Sequence, residues 1–306
     1  MCSFQLEQQG GFHLWEGCAC QDKVHFIRKG DVESITLCDG AGSLDGALEA
    51  ARIFSQGVNE WIVEHFSTTL RGKSDANVKR LVIDEIDCLL TRLTAGEETA
   101  RDIYGCTLLT ACRNTRTGET LVLHLGDGVI LGWTPEEGCR CLTPPEQSEE
   151  LRATWLVNSS PTMLMEHLRV LRLHPGRSVS AFILMSDGGE GPLYMPTSQG
   201  VTLNPVIAKL AEEFLLRPSS FAKAMPDFVR KQVRPADDFS LGVMGDAPAT
   251  LLPIHTSRRI VREYTQYLCA RRSGLNPLQA ARRAGWRKRD IPRKRKRLQD
   301  MRIEEV

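Results

Sequence analysis

Two hydrophobic periods alternate along this chain. Residues 34–38 (SITLC), 105–113 (GCTLLTACR), 119–133 and 178–185 are short apolar runs bounded by turn residues, as expected of buried strands. Between them, Leu48, Ala51, Phe54, Val58, Trp61, Ile62 and Phe66 fall near one helical face over 45–66. Val78, Leu81, Val82, Ile86, Leu89, Leu90 and Leu93 do the same over 76–93. Two further helices, at 204–216 and 221–233, precede a last strand at 239–244. Residues 134–177 show no regular strand alternation over most of their length. Strands clustered in neighbouring runs, with paired helices, predict antiparallel sheets flanked by helices rather than a parallel α/β sheet.

Three apolar runs share an ending. Asp39-Gly40, Asp127-Gly128 and Asp187-Gly188 each close one, and Asp237-Asp238 opens the run FSLGVM. A single Asp-Gly pair reads as a turn, and Asp127 is read equally as a plain hairpin. The shared placement is harder to assign to turns. Carboxylates at buried strand ends repel one another unless a positive charge sits between them, and divalent cations with oxygen ligands fill that role. Asp45-Gly46, by contrast, opens a helix, and Asp45 reads as its N-terminal cap.

Composition is that of a globular protein, with 42% hydrophobic and 25% charged residues among 306. No apolar run approaches the ~20 residues that span a bilayer. MCSFQLEQQGG lacks the charge and apolar pattern of a signal peptide, and ten cysteines without one predict reduced thiols in the cytoplasm. Cys18/Cys20 and Cys139/Cys141 raise a zinc site weakly, because their spacing is not the usual Cys-x-x-Cys. The net charge of +1 conceals an acidic body and a basic tail: from Arg258 onward stand 16 Lys+Arg and 5 Asp+Glu. A boundary near 247–257 follows, giving domains at 1–248 and 257–306.

The ordered motifs DGAG (39–42), GCT (105–107), GDG (126–128), SDGG (186–189) and DDFSL (237–241), with Gln21-Asp22 upstream, resemble the signature of the protein phosphatase 2C (PPM) family. The likeness spans residues 10–245 and is closer to the compact bacterial branch. It implies an α+β fold, an antiparallel β-sandwich flanked by helix pairs (α-β-β-α), with two Mn²⁺ or Mg²⁺ ions, and a third weaker one, at one end. Carried over, the resemblance makes Asp39 the bridge between two metals and gives one of them the Gly40 carbonyl. Asp187 and Asp237 complete the first site, Asp237 being preferred to Asp238. Asp127 joins Asp187 at the third metal, and Asp22 holds metal-bound water, so that Asp22 and Asp39 serve catalysis through that water. The implied activity is hydrolysis of phosphoserine and phosphothreonine in a protein substrate, opposing a serine/threonine kinase.

Departures from the pattern accompany these matches. Gln21 stands where relatives carry a metal-binding glutamate, and Ala41 where eukaryotic members carry a histidine. Gly17 occupies the place of a phosphate-clamping arginine. Arg28 and Lys29 could substitute if the chain folds back, and His13 could serve the site, although a lone histidine is more often structural. These departures keep open a catalytically weak, phosphatase-like regulator. A different phosphohydrolase for small phosphate esters is the third reading, and no G-x-x-x-x-G-K-[ST] loop argues for a nucleotide.

Residues 257–302 read as a small all-α module of three helices, helix-turn-helix-like in a general way. Ile260, Val261, Tyr264, Tyr267 and Leu268 make one face of the first. Asn276-Pro277 starts the second, with Leu278, Ala281 and Ala284 packing inward and Gly285 ending it. Arg287, Lys288, Arg289, Arg293, Lys294, Arg295, Lys296 and Arg297 supply a basic surface for DNA, mostly sequence-independent, or for an acidic protein. A solvated basic face is the plainer alternative.

Overall fold

The computed structural model describes residues 2–146, 154–174, 179–197, 200–246, 276–283 and 286. The chain divides into two compact units, Met1–Ala247 and Pro248–Val306.

In the first unit, twelve strands are described: β1 Cys2–Gln8, β2 Lys23–Lys29, β3 Val32–Cys38, β4 Leu108–Asn114, β5 Thr120–Leu125, β6 Val129–Thr134, β7 Gly138–Thr143, β8 Arg169–Leu173, β9 Ala181–Met185, β10 Tyr194–Thr197, β11 Gly200–Leu203 and β12 Phe239–Gly245. Ten build two antiparallel sheets, in the orders β1-β12-β9-β6-β7 and β2-β3-β4-β5-β8, and β10-β11 is a separate hairpin. Helices α1 Gly11–Glu16, α2 Ala47–His65, α3 Asp75–Leu93, α4 Pro161–His167, α5 Val206–Leu216 and α6 Pro218–Phe228 complete it.

The period of two in β3 explains the layering. Ile35 and Leu37 face the other sheet, joining Leu109, Val122, Ile130, Phe182, Leu184 and Met244 in a buried core. Val32 and Cys38 face the opposite way and join the cluster built by α2 and α3 around Phe54, Val58, Ile62, Val82 and Ile86. On the far side, Ile183, Met185, Leu241 and Val243 meet Ile207, Ala211, Phe221 and Met225 of α5 and α6. The result is the four-layer α-β-β-α sandwich that the resemblance implies, with the antiparallel sheets and flanking helices that the pattern predicts. Glu33, whose parity also points between the sheets, is fully buried and accepts from Arg113 Nη2 at 2.5 Å and Nε at 3.0 Å.

Two expectations need correction. Residues 134–177 hold β7, α4 and β8, which the reading without strand alternation did not anticipate. Both strands lie at sheet edges and are half-buried, so neither face imposes a clean apolar period. Nor does Asp45 cap α2: the cap residue is Gly46, with no side-chain cap bond. The Gly46 N–H donates instead to the Ile103 carbonyl at 3.0 Å. A Cβ on Gly46 would stand 2.4 Å from the Tyr104 ring, so segment 103–104 fixes this helix start.

In the second unit, α7 Pro277–Arg283 is the described helix. Asn276 Oδ1 accepts from the N–H groups of Leu278 and Gln279, and Gln279 Oε1 accepts from the Asn276 N–H, a reciprocal cap. Ala280 and Ala281 are buried but Leu278 is exposed, contrary to the inward packing expected of it. Leu278 lies about 110° round the helix from the middle of the Ala280–Ala281 face. The first and third predicted helices, Ala284, Gly285 and the basic residues from Arg287 to Arg297 lie outside the described residues.

Candidate metal centre

Antiparallel pairing sends all the acidic strand ends to one end of the sandwich. Lys23 pairs with Cys38, so extending that register by one step sets Asp22 opposite Asp39 on the face between the sheets. Leu37 pairs with Leu109 and Leu108 with Leu125, which brings the end of β5, and Asp127 after it, to the same place. Leu241 pairs with Met185, so the start of β12 meets the end of β9. Their approach is close: a Cβ on Gly188 would fall 2.1 Å from the Asp238 carbonyl oxygen, leaving room for glycine alone.

The backbone around Asp39 is held from both sides. The Asp39 N–H donates to Thr107 Oγ1 at 2.9 Å, and the Thr107 N–H donates to the Asp39 carbonyl at 2.8 Å. That exchange gives the GCT motif a physical role. A Cβ on Gly40 would lie 3.0 Å from both the Gln21 and Ala47 carbonyl oxygens. Asp127 accepts from Thr154 Oγ1. β5 and β6 belong to different sheets, so GDG is a crossover between layers, and the hairpin reading of Asp127 fails.

One carboxylate oxygen from each of Asp39, Asp127 and Asp187 lies within 4.8 Å of the other two. Burial, followed by the charges of Asp22, Asp187 and Asp127, holds the Asp39 carboxyl well above the usual range. Asp187 is pushed up to about 7, by burial first and by Asp127 next. Asp22 is fully buried and also rises to about 7, chiefly through burial, with Asp238 and Asp187 adding to it. Ser186 and Asp39 beside Asp22 oppose that rise, but neither Asp22 oxygen accepts a well-formed hydrogen bond, and Gln21 Oε1 is likewise buried without one. Converging hard oxygen atoms that repel one another suit a divalent cation, so the residues present fit one.

Asp237 falls in a second group. It is exposed, and its carboxylate lies with His13 and Asp238 in a set whose ligand atoms are all within 4.8 Å. Its charge nonetheless raises both Asp127 and Asp187. Asp238, only 3% exposed, accepts from the Gly10 N–H at 2.8 Å and from the Gln21 N–H at 2.6 Å, and His13 Nδ1 stands 2.8 Å from its Oδ2. The resemblance prefers Asp237 as ligand; β12 parity turns Asp238 inward beside Ser240 and Gly242. Arg28 and Lys29 sit at the opposite end of β2 from Asp22, and Lys29 pairs with Glu64 at 2.7 Å, so neither reaches the centre. The cysteine pairs form no cluster of three metal-ligating side chains among the described residues, and the cysteines described are free.

The family model for protein phosphatase 2C matches residues 9–229. This chain belongs to the protein phosphatase 2C family. A sequence search of curated proteins finds no match. Among solved structures, the fold resembles serine/threonine phosphatase Stp1 from Staphylococcus aureus at 10% identity, with a TM-score of 0.53 over 79% of this chain and 94% of that one. A bacterial serine phosphatase matches at 11% identity, TM-score 0.52, over 80% of this chain and 99% of that one. A C. elegans sex determining protein matches at 12% identity, TM-score 0.56, over 79% of this chain and 64% of that one. The protein phosphatase 2C sandwich is thus kept at low identity. No helix among the described residues is long and apolar enough to cross a membrane.

Proposed function

We propose that this chain is a divalent-cation-dependent protein serine/threonine phosphatase acting in the cytoplasm, where its cysteines stay reduced. The observation that carries this reading is the convergence of Asp39, Asp127 and Asp187 within 4.8 Å, in a protein phosphatase 2C fold. Asp39, Asp127, Asp187 and the Gly40 carbonyl would hold Mn²⁺ or Mg²⁺, with Asp237 alongside. Cations held there would lower the pKa of water and neutralise phosphate oxygens, which would favour in-line hydrolysis of a phosphomonoester. Asp22, fully buried beside these acids, would accept a hydrogen bond from water and orient it. Ala41, one residue past the Asp-Gly pair, offers no proton to a leaving group.

The test is hydrolysis of an aryl phosphate and of a phosphoserine peptide with Mn²⁺ and with Mg²⁺. Turnover of both, abolished by chelator and restored by metal, is expected; no turnover with either metal overturns the enzyme reading. Gln21, a neutral side chain among acids, favours as second reading a regulator that binds cation and phosphopeptide without turnover. Its basic module would dock DNA or an acidic protein. Salt-sensitive binding of duplex DNA by the full chain tests that part, and none at low salt would remove it.

A further inference from the structure

His13 is carried to the acidic centre by a short helix that the neighbouring segment pins in place. The N–H groups of Gly11 and Phe12 donate to the carbonyls of Pro235 and Ala236 at 3.1 and 2.9 Å. Phe12, Leu14 and Trp15 turn out to solvent, 65%, 60% and 84% exposed, while the His13 side chain is only 12% exposed. Its Nδ1 lies 2.8 Å from Asp238 Oδ2 without a hydrogen bond to it, and that carboxylate is itself fixed by two backbone N–H groups. Its Nε2 faces Gly42, 3.9 Å from where a Cβ there would lie, on the loop that follows Asp39 and Gly40. Gln21 Oε1 faces the same point at 3.8 Å, buried without a donor. Beside it Asp22 is fully buried, and neither of its oxygens accepts a well-formed hydrogen bond. A ring nitrogen and several oxygens without well-formed hydrogen bonds therefore line one wall of the centre.

A buried ring nitrogen 2.8 Å from a carboxylate oxygen, yet without a hydrogen bond, is suited to share a cation with that carboxylate, neutral imidazole being a common metal ligand. We propose that His13 is a cation ligand, so that this centre has two unlike positions. One is all-oxygen, at Asp39, Asp127 and Asp187. The other is a mixed nitrogen–oxygen position built by His13 with Asp237 and Asp238, whose ligand atoms all lie within 4.8 Å of one another, beside Gln21. The nitrogen offsets the neutral charge of Gln21, because imidazole is a better donor than an amide oxygen to later first-row metals. The all-oxygen position should accept Mg²⁺ or Mn²⁺, and the mixed one should prefer Mn²⁺ or Co²⁺ over Mg²⁺.

This inference rests on the cation reading of the site, and metal binding to the full chain separates the two. Calorimetric titration with Co²⁺ alone should show two sites, with a visible absorption band from the mixed position. In His13→Ala that band should vanish and one site weaken by at least about tenfold while the other stays unchanged; Asp238→Asn should weaken the same site about 10- to 100-fold. His13→Gln, which keeps an oxygen donor and much of the volume, should retain the fold and shift the band. Unchanged affinity and spectrum in both His13 variants would overturn the assignment of His13 while leaving the acidic centre intact. No Co²⁺, Mn²⁺ or Mg²⁺ binding to the unsubstituted chain would overturn the cation reading and this inference together.

Discussion

Asp39→Asn should reduce phosphomonoester hydrolysis about a thousandfold or more, equivalent to about 4 kcal/mol of transition-state stabilisation. Asp39 stands at the middle of the centre: it groups with Asp127 and Asp187 and lies opposite Asp22 across the β2–β3 pair. The substitution keeps shape and removes charge, so the fold should persist. Indeed the metal-free protein should become more stable at pH 8. Asp22, Asp187 and Asp127 are the charges that act most strongly on Asp39, all negative, and like charges on facing strand positions are destabilising. Each pK unit by which a neighbour relaxes returns about 1.4 kcal/mol. The paired measurement is steady-state hydrolysis with Mn²⁺ and chemical denaturation in chelator. A variant that keeps full activity contradicts the role given to Asp39. One that is less stable in chelator contradicts the account of repulsion.

The metal-free protein should lose stability as pH rises, and divalent cations should reverse that loss. Asp22 and Asp187 have folded-state values near 7 against an ordinary value of 3.8, so the native state binds protons more tightly than the unfolded chain. The stability linked to those protons is complete below about pH 4 and falls between about pH 4 and 7, by about 1.4 kcal/mol per pH unit for each group. Above pH 7 both carboxylates are charged and their mutual repulsion is fully expressed. Cation binding needs those deprotonated forms, so affinity should climb over the same interval. At a hundred times the dissociation constant, bound metal adds about 2.7 kcal/mol, or about 5–10 °C in melting temperature for a unit of this size. Thermal melts at pH 5 and pH 8, with Mn²⁺ and with chelator, check both signs. A metal-free protein more stable at pH 8 than at pH 5 would contradict the burial of these acids.

Much of this was legible in the sequence because two periods were written into it. The 3.6-residue stripe of α2 and α3 and the apolar runs of β3, β5 and β9 gave element types that the structure keeps. The acid at each strand end marked the centre, because hydrophobic strands seldom stop repeatedly on a buried charge. What escaped were elements whose neighbours set their pattern. β7 and β8 lie at edges, half-buried, where charge and cysteine replace a clean alternation. The inward place of Asp238, by contrast, follows from the alternation of β12, which sets it on the face of Ser240 and Gly242. His13, which the sequence offers only as a histidine able to serve the site, reaches the centre because α1 docks on residues 235–236, more than two hundred positions away. The start of α2 is likewise set by Tyr104 and Ile103, beyond any local capping rule.

Anomalous diffraction from crystals grown with Mn²⁺ most directly tests whether these distant acids share cations. Peaks in contact with Asp39, Asp127 and Asp187 together are the expected result. A well-ordered centre without anomalous density, its carboxylates satisfied by protons and water alone, would contradict the account.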